Sequence, residues 1–546
     1  MGVNPMIGHC PTGFQAFPNM GNGMTADLDF LHQPQLSSCL ELVRQVASTH
    51  PHEPALECEG LRLSHHELHC AVEATRQWLV DQGLPPGCRT LVLLPNVPEQ
   101  IWLQLALLGL GAHSALVDVK SSREVLAQIA QEALPAVLIC SGDGQELCSE
   151  LLPHLPPRTR ILTVDGLREH ALGASEPARL VPLSTDGRLL YFRKDREDHW
   201  RGASFGLDQL GATAQQVRQL FSLHVGSTVL CHMSVSHYLA FSSMVMPALC
   251  AGGCLLLADR NASEEELLDL IQQHSPRLMV HYRTFYWHLL KAAQARQASG
   301  RPVGQVLHAL VNAESPQLPF QKEWETLFHG NLLAGFATTW AGAFLSLDLP
   351  WLERRENFVG MALPGVDMKV LDETGQERPA GRWGEVIFQS PGMACDFTQD
   401  RHSSLELTEE GWLRSQQMAM LDAEGYLTLA DEVFDVIWLH GFKVSPLEIE
   451  EPLIALPGVL DVAALGAPRG THPDQVVLFV HSDVDDDGRL LWSEATLQRQ
   501  CAQLFPPYLR PARIFLVDAI PYDDEAFKQR KELRYRTQHA DLWRNL

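Results

Sequence analysis

Apolar and polar positions follow two periods along this chain. The run Arg89–Pro95 (RTLVLLP) is a continuous apolar stretch bounded by a proline, as a buried strand requires. A helix-length segment, Glu99–Leu110, follows it, and then a second short apolar run at Ala115–Val119. Pro135–Cys140 and Arg160–Val164 repeat the strand signature. Strand, helix, strand in this order predicts a parallel sheet covered by helices. Leu61–Leu84 holds Ser64 three residues ahead of Glu67, a capping box. It opens a helix with Leu68, Val72 and Leu79 on one face. Val229–Leu257 runs strand, loop, helix, strand. Gly360–Pro391 is rich in strand formers and carries a turn at Asp372–Gly375. Beyond residue 430 a smaller block predicts strands within Gly458–Val480 and at Arg513–Val517. Met1–Gln35 is rich in Gly, Pro, Met and Asn without periodicity and is expected to form an irregular extension.

At 546 residues the chain is too long for one core and suggests two to four domains or subdomains. An apolar content of 45% and a charged content of 20% are those of an ordinary soluble protein. The net charge of −24 argues against a nucleic-acid or anionic-membrane partner, although one local basic patch lies near Lys528–Arg536. Twelve cysteines without a C-x-x-C pair or zinc spacing read as reduced thiols. No run reaches the ~20 apolar residues of a membrane span, and no leader pattern is visible. A cytoplasmic location is expected.

Between the two blocks lies Leu429–Glu451. It ends in a Gly turn (His440-Gly441), a short strand (Phe442-Lys443-Val444) and a helix opened by Ser445-Pro446, with Glu448 and Glu450 in the first turn. The string HGFKVSPLEIEE resembles the joint between the two domains of the adenylate-forming superfamily, which includes acyl-CoA synthetases and peptide-synthetase adenylation domains. The match runs nearly continuously from Leu40 to about Arg534. It implies an α/β fold with a large N-terminal domain of helix-flanked sheets plus a β-rich subdomain, followed by a small mobile α+β lid. The implied boundaries are an extension at 1–35, a large domain at 36–430 and a lid at 431–546.

The resemblance also implies a site, and here the chain departs from the pattern. The family's phosphate loop is rich in Gly, Ser and Thr. Tyr191–Gly202 keeps only its two ends and places Arg193, Lys194, Arg196 and Arg201 among Asp195, Glu197 and Asp198. These cations can meet phosphate, but an ordinary charged surface loop is the plainer reading. The magnesium-binding Glu is Trp340, which cannot ligate a cation. The ribose Asp is Gln417, and the hinge Arg becomes Glu432, followed by Phe434 and Asp435. The catalytic Lys is Phe527, with Lys528 one residue off register. His237 falls where the family faces acyl group and thiol, although a lone His beside an apolar helix is often a core residue. Tyr238, Asn312, Ala313, Glu314, Phe336, Ala337, Gly441 and Phe442 are implied pocket walls. Asp483, Asp485, Asp487 and Glu494 satisfy a calcium-loop spacing behind a strand rather than a helix; no metal is expected.

With five nucleotide contacts replaced, the expectation is a protein that handles an acyl thioester, on CoA or a carrier protein, without ATP or magnesium. It would hydrolyse, transfer or rearrange the acyl group with His237 as base or orienting residue. Two alternatives remain: a non-catalytic scaffold binding a synthase or carrier protein, and a working carboxylate–CoA ligase with a rebuilt nucleotide site that uses Arg193, Lys194, Arg196 and Lys528.

Overall fold

The structure is a computed structural model. It describes residues 38–533 except 175–181, 195–198, 313–317, 356–357, 373, 399–406, 409, 433–436, 440–441, 445, 470–471, 485–488, 522–527, 529 and 531–532. The irregular extension, Ala313, Glu314, Arg196, Phe434, Asp435, Gly441, Asp485, Asp487 and Phe527 therefore lie outside the described residues. So do the side chains of Glu432 and Phe442.

Two large sheets form the body. One has nine described strands. Its centre is parallel, running from Asn331–Thr338 through His308–Asn312, Leu278–His281, Thr228–Cys231 and Cys254–Leu257 to Pro54–Cys58, with antiparallel strands at both edges. The other has seven, with Arg188–Lys194, His113–Leu116, Arg89–Leu93, Val137–Cys140 and Arg160–Thr163 in parallel. Parallel strands buried on both faces need apolar residues at every position. Val137–Cys140 and Cys254–Leu257 are buried at all four. Ser64 and Glu67 form the expected capping box, with Ser64 N–H donating to Glu67 Oε2 at 2.8 Å.

A four-stranded antiparallel sheet, Asp367–Leu371, Gly384–Gln389, Leu413–Leu421 and Leu427–Glu432, forms the β-rich subdomain. Gly360 leads into it at φ +78°, and a Cβ there would lie 1.9 Å from the Leu347 carbonyl carbon. That approach holds the subdomain against the nine-stranded sheet and admits no side chain. Asp372 caps its turn by accepting from Thr374 N–H at 2.8 Å and Gln376 N–H at 2.9 Å.

The small C-terminal domain has three strands, Val459–Arg469, His472–Ser482 and Arg513–Leu516, behind the hairpin Ile437–Leu439 and Phe442–Val444. Its interior holds a charge network. Glu450, fully buried, accepts from Lys528 Nζ at 2.7 Å, Arg530 Nη2 at 2.6 Å and the Ala464 amide at 2.6 Å. Lys528 also donates to the Val462 carbonyl at 2.6 Å and stands 3.4 Å from Asp461. Burial opposes the Glu450 charge, but Arg530, Lys528 and the Ala464 amide outweigh it and hold its carboxyl below the usual range. The fold is thus a mixed α/β one with a large N-terminal and a smaller C-terminal domain. No helix among the described residues is long and apolar enough to cross a membrane.

Candidate active site

The carboxyl ends of parallel strands from both sheets converge on a cavity of about 350 Å³, the place where open α/β sheets bind ligands. Leu116, His232 and His281 reach it from strand ends, while Tyr191, Thr339 and His237 complete its wall. His237 opens a helical segment with a five-residue π turn, Phe241–Val245, a distortion common at functional sites. The Leu239 amide donates to His237 Nδ1 at 3.2 Å. In the neutral ring the proton must then sit on Nε2, which faces Tyr282 Oη at 3.0 Å. This tautomer is inferred from the hydrogen bonds.

Two further imidazoles extend the polar wall. His281 Nδ1 accepts from the Tyr282 amide at 2.9 Å, and its Nε2 meets His232 Nδ1 at 3.3 Å. Phe285 stacks on His281 with 3.7 Å between ring centroids. Burial, then the neighbouring His232, His237 and Arg260, push the His281 pKa well below the ordinary histidine value, so the ring is neutral. Burial, and then Arg260, lowers His232 as well. Arg260 itself, ion-paired with Asp118, lines the same cavity.

Of the implied pocket walls, the structure brings Tyr238, Asn312 and Ala337 together. Asn312 Oδ1 accepts from the Ala337 amide at 2.7 Å, and its Nδ2 donates to Tyr238 Oη at 3.3 Å. Phe336 is buried beside them in sequence. Cys231 and His232 diverge as strand alternation requires, the thiol into the core and the imidazole into the cavity.

The basic residues of the Tyr191–Gly202 stretch separate in space. Arg193, 8% exposed, turns inward; its Nη1 donates to Thr338 Oγ1 at 3.2 Å and to the Ser415 carbonyl at 3.0 Å. Lys194 is exposed and lies over Trp200, 5.9 Å from the ring centre. Arg201 stands 4.0 Å from Glu132. Gly202 donates its amide to Thr398 Oγ1 at 2.8 Å, and a Cβ there would lie 2.7 Å from the same side chain. Trp340 is fully buried, edge-on to Phe397, with its indole N–H unpartnered among the described residues. Gln417 is buried, its backbone N–H donating to Ser415 Oγ at 3.0 Å.

Lys528 is not at this cavity. Its ammonium lies within the small domain on Glu450 and Val462. Glu494 begins the helix Glu494–Leu504 behind its Ser493 cap. No cluster of three His, Cys, Asp or Glu side chains among the described residues suits a metal. The sequence reading missed His281, Tyr282 and Arg260. The first two stand at and just after the end of the strand Leu278–His281, a position that marks ligand contacts in such sheets.

Two parallel-stranded sheets, a β subdomain and a small following domain, with the cavity at the strand ends, make a two-domain protein of the mixed α/β class. The chain matches the AMP-binding enzyme family model over residues 43–189 and 207–395, and the AMP-binding enzyme C-terminal domain model over 448–525. It belongs to the AMP-binding enzyme family, and so to the adenylate-forming superfamily. It is 25% identical over 547 residues to the long-chain-fatty-acid–CoA ligase of Salmonella typhimurium (strain LT2), covering 92% of this chain and 95% of the relative. With the corresponding ligase of Escherichia coli O6:H1 it is 30% identical over 213 residues, which is 39% of this chain and 37% of that relative's length. The o-succinylbenzoate coenzyme A synthetase of Bacillus subtilis, solved with ATP and magnesium ion, superposes with a TM-score of 0.77 at 18% identity. That match covers 90% of this chain and 99% of the other.

These relatives correct the expectation of ATP-free thioester chemistry and of ATP and magnesium being dispensable. The proteins matched along the chain are CoA ligases, one of similar fold was solved with ATP and magnesium, and nothing in the comparisons indicates that adenylation has been lost. The physical reason is that motif counting registers individual side chains. Phosphate binding rests equally on backbone and on the placement of any fixed charge.

Proposed function

We propose that this protein is an ATP-dependent carboxylate–CoA ligase with a rebuilt nucleotide site. In the first step a carboxylate oxygen attacks the α-phosphorus of ATP, and the bond to pyrophosphate breaks. In the second, the CoA thiol loses its proton, sulfur bonds to the acyl carbon and AMP departs. The observation that carries this reading is the cavity that draws Tyr191, Thr339 and His237 into one wall. These are the segments that the family resemblance links to the nucleotide phosphates, to magnesium, and to the acyl group and thiol.

His237, with Nδ1 accepting from the Leu239 amide and its Nε2 proton directed at Tyr282, orients the Tyr282 hydroxyl rather than acting as a base. The neutral His281 and His232 line the site without adding charge. An indole at Trp340 cannot ligate a cation, so magnesium enters with ATP as part of the substrate. CoA is the proposed thiol, and the cytoplasm the proposed place of work.

The test is incubation of the full chain with ATP–Mg²⁺, CoA and, in turn, octanoate, palmitate, benzoate and 4-coumarate, following AMP and thioester by chromatography. AMP release that needs both acid and CoA is expected with at least one of them. AMP release independent of the acid, or none with any acid, overturns the reading.

A further inference from the structure

We propose that this ligase takes a compact acid, about the size of a single ring, and that Tyr238 sets the limit. The inference rests on the ligase reading and names the substrate class of that same site. The cavity of about 350 Å³ is near the lower end of the roughly 300–1,000 Å³ that small-molecule sites span. What closes it decides how long an acyl group can be.

One wall ends at Tyr238. The residue follows His237, lines the cavity and is 3% exposed. Its ring stands edge-on to Tyr191, with 6.2 Å between centroids. Its hydroxyl accepts from Asn312 Nδ2 at 3.3 Å, and Asn312 Oδ1 in turn accepts from the Ala337 amide at 2.7 Å. The strands His308–Asn312 and Asn331–Thr338 thus brace the phenol. Tyr238 shares one packed core with Phe241, Phe336, Ala337 and Trp340, all four fully buried. Asn312, Phe336 and Ala337 do not line the cavity.

A second aromatic layer closes the histidine wall. Phe285 stacks on His281, and Tyr286 stands edge-on to both Phe285 and Trp324, at 5.6 and 4.9 Å. None of these three rings lines the cavity either. An alkyl chain needs a channel leading away from the reacting carbonyl, and the described residues fill both walls with braced rings. Close-packed interiors yield little to added volume. Admitting a long chain would displace Tyr238 and break its hydrogen bond to Asn312 inside the core. An acid that stops at the Tyr238 ring makes no such demand, and an aromatic one gains a ring contact there.

The test is an acid series on the full chain with ATP–Mg²⁺ and CoA. Butanoate, hexanoate, benzoate, dodecanoate and palmitate are compared by kcat/KM for AMP release in wild type, Tyr238→Ala and Tyr238→Leu. Wild type is expected to favour the best of the first three acids over dodecanoate and palmitate by about 100-fold or more. Tyr238→Ala should narrow that ratio by about tenfold or more. Tyr238→Leu, a milder cut, should fall between them and decides the matter if the alanine variant does not fold. A ratio taken between two acids on one variant does not move with the amount of folded protein, so a purely structural defect leaves it unchanged.

A wild type that works best on dodecanoate or palmitate overturns the proposal and leaves the ligase reading standing. A ratio that is the same in the folded variants as in wild type overturns the role of Tyr238. No AMP from any acid overturns the ligase reading and this inference together.

Discussion

His237 shows how a backbone amide can set the chemistry of a side chain. The Leu239 N–H fixes the imidazole tautomer, and the tautomer directs a proton at Tyr282 Oη, 45 residues away. Tyr282→Phe is therefore expected to lower kcat for thioester formation by roughly three- to tenfold while changing stability by less than about 1 kcal/mol. Combined with His237→Ala, its effect should be less than additive. Full additivity in the measured kcat values would mean that the two side chains act separately. His308 offers a test of the same physics away from the site. Burial, and then Arg277, lowers its pKa from 6.5 to about 4. Between these values the unfolded chain binds the extra proton, so the contribution is complete above pH 6.5 and is lost as pH falls through about 4. Because the ring is partly exposed, about 1–2 kcal/mol is expected. Urea melts at pH 7 and pH 4 should show that much less acid sensitivity in His308→Leu.

At the scale of elements, the strand and helix pattern was legible because each signal is local. The runs Val137–Cys140 and Arg160–Thr163 lie within the two apolar stretches read as strands, and Ser64 and Glu67 cap the helix their spacing predicts. The site was legible only in part. Alternation from Tyr191 alone places Arg193 on the inner face, yet its partners are 145 and 222 residues distant. His281 and Tyr282 belong to no motif, and His281 meets His232 across 49 residues. Counting replaced motif residues thus overstated the loss of function, since the tally carries no information about where substitute charges point. Gly360 tests the joining of elements. A Cβ at φ +78° meeting Leu347 backbone at 1.9 Å leaves no relaxed alternative. Gly360→Ala is expected to cost about 3 kcal/mol or more in chemical denaturation. A loss below about 1 kcal/mol would show that the subdomain can shift away from the large sheet.

For the whole molecule, the two domains should lose structure separately when the small one is weakened. Glu450→Gln leaves Lys528 and Arg530 buried without the carboxylate they share, a change that typically costs about 3–5 kcal/mol. Calorimetry should then resolve an earlier transition for the small domain while the main one keeps its midpoint, and a single unshifted transition would contradict this. The same network bears on surface chemistry. An ammonium 7% exposed and committed to Glu450 and Val462 is a poor nucleophile toward reagents in solution. In the native protein Lys528 should resist amine-reactive labels that modify the exposed Lys120 and Lys194. Mass-spectrometric footprinting of this one lysine thereby becomes a gauge of whether the C-terminal stretch is docked, readable without any substrate.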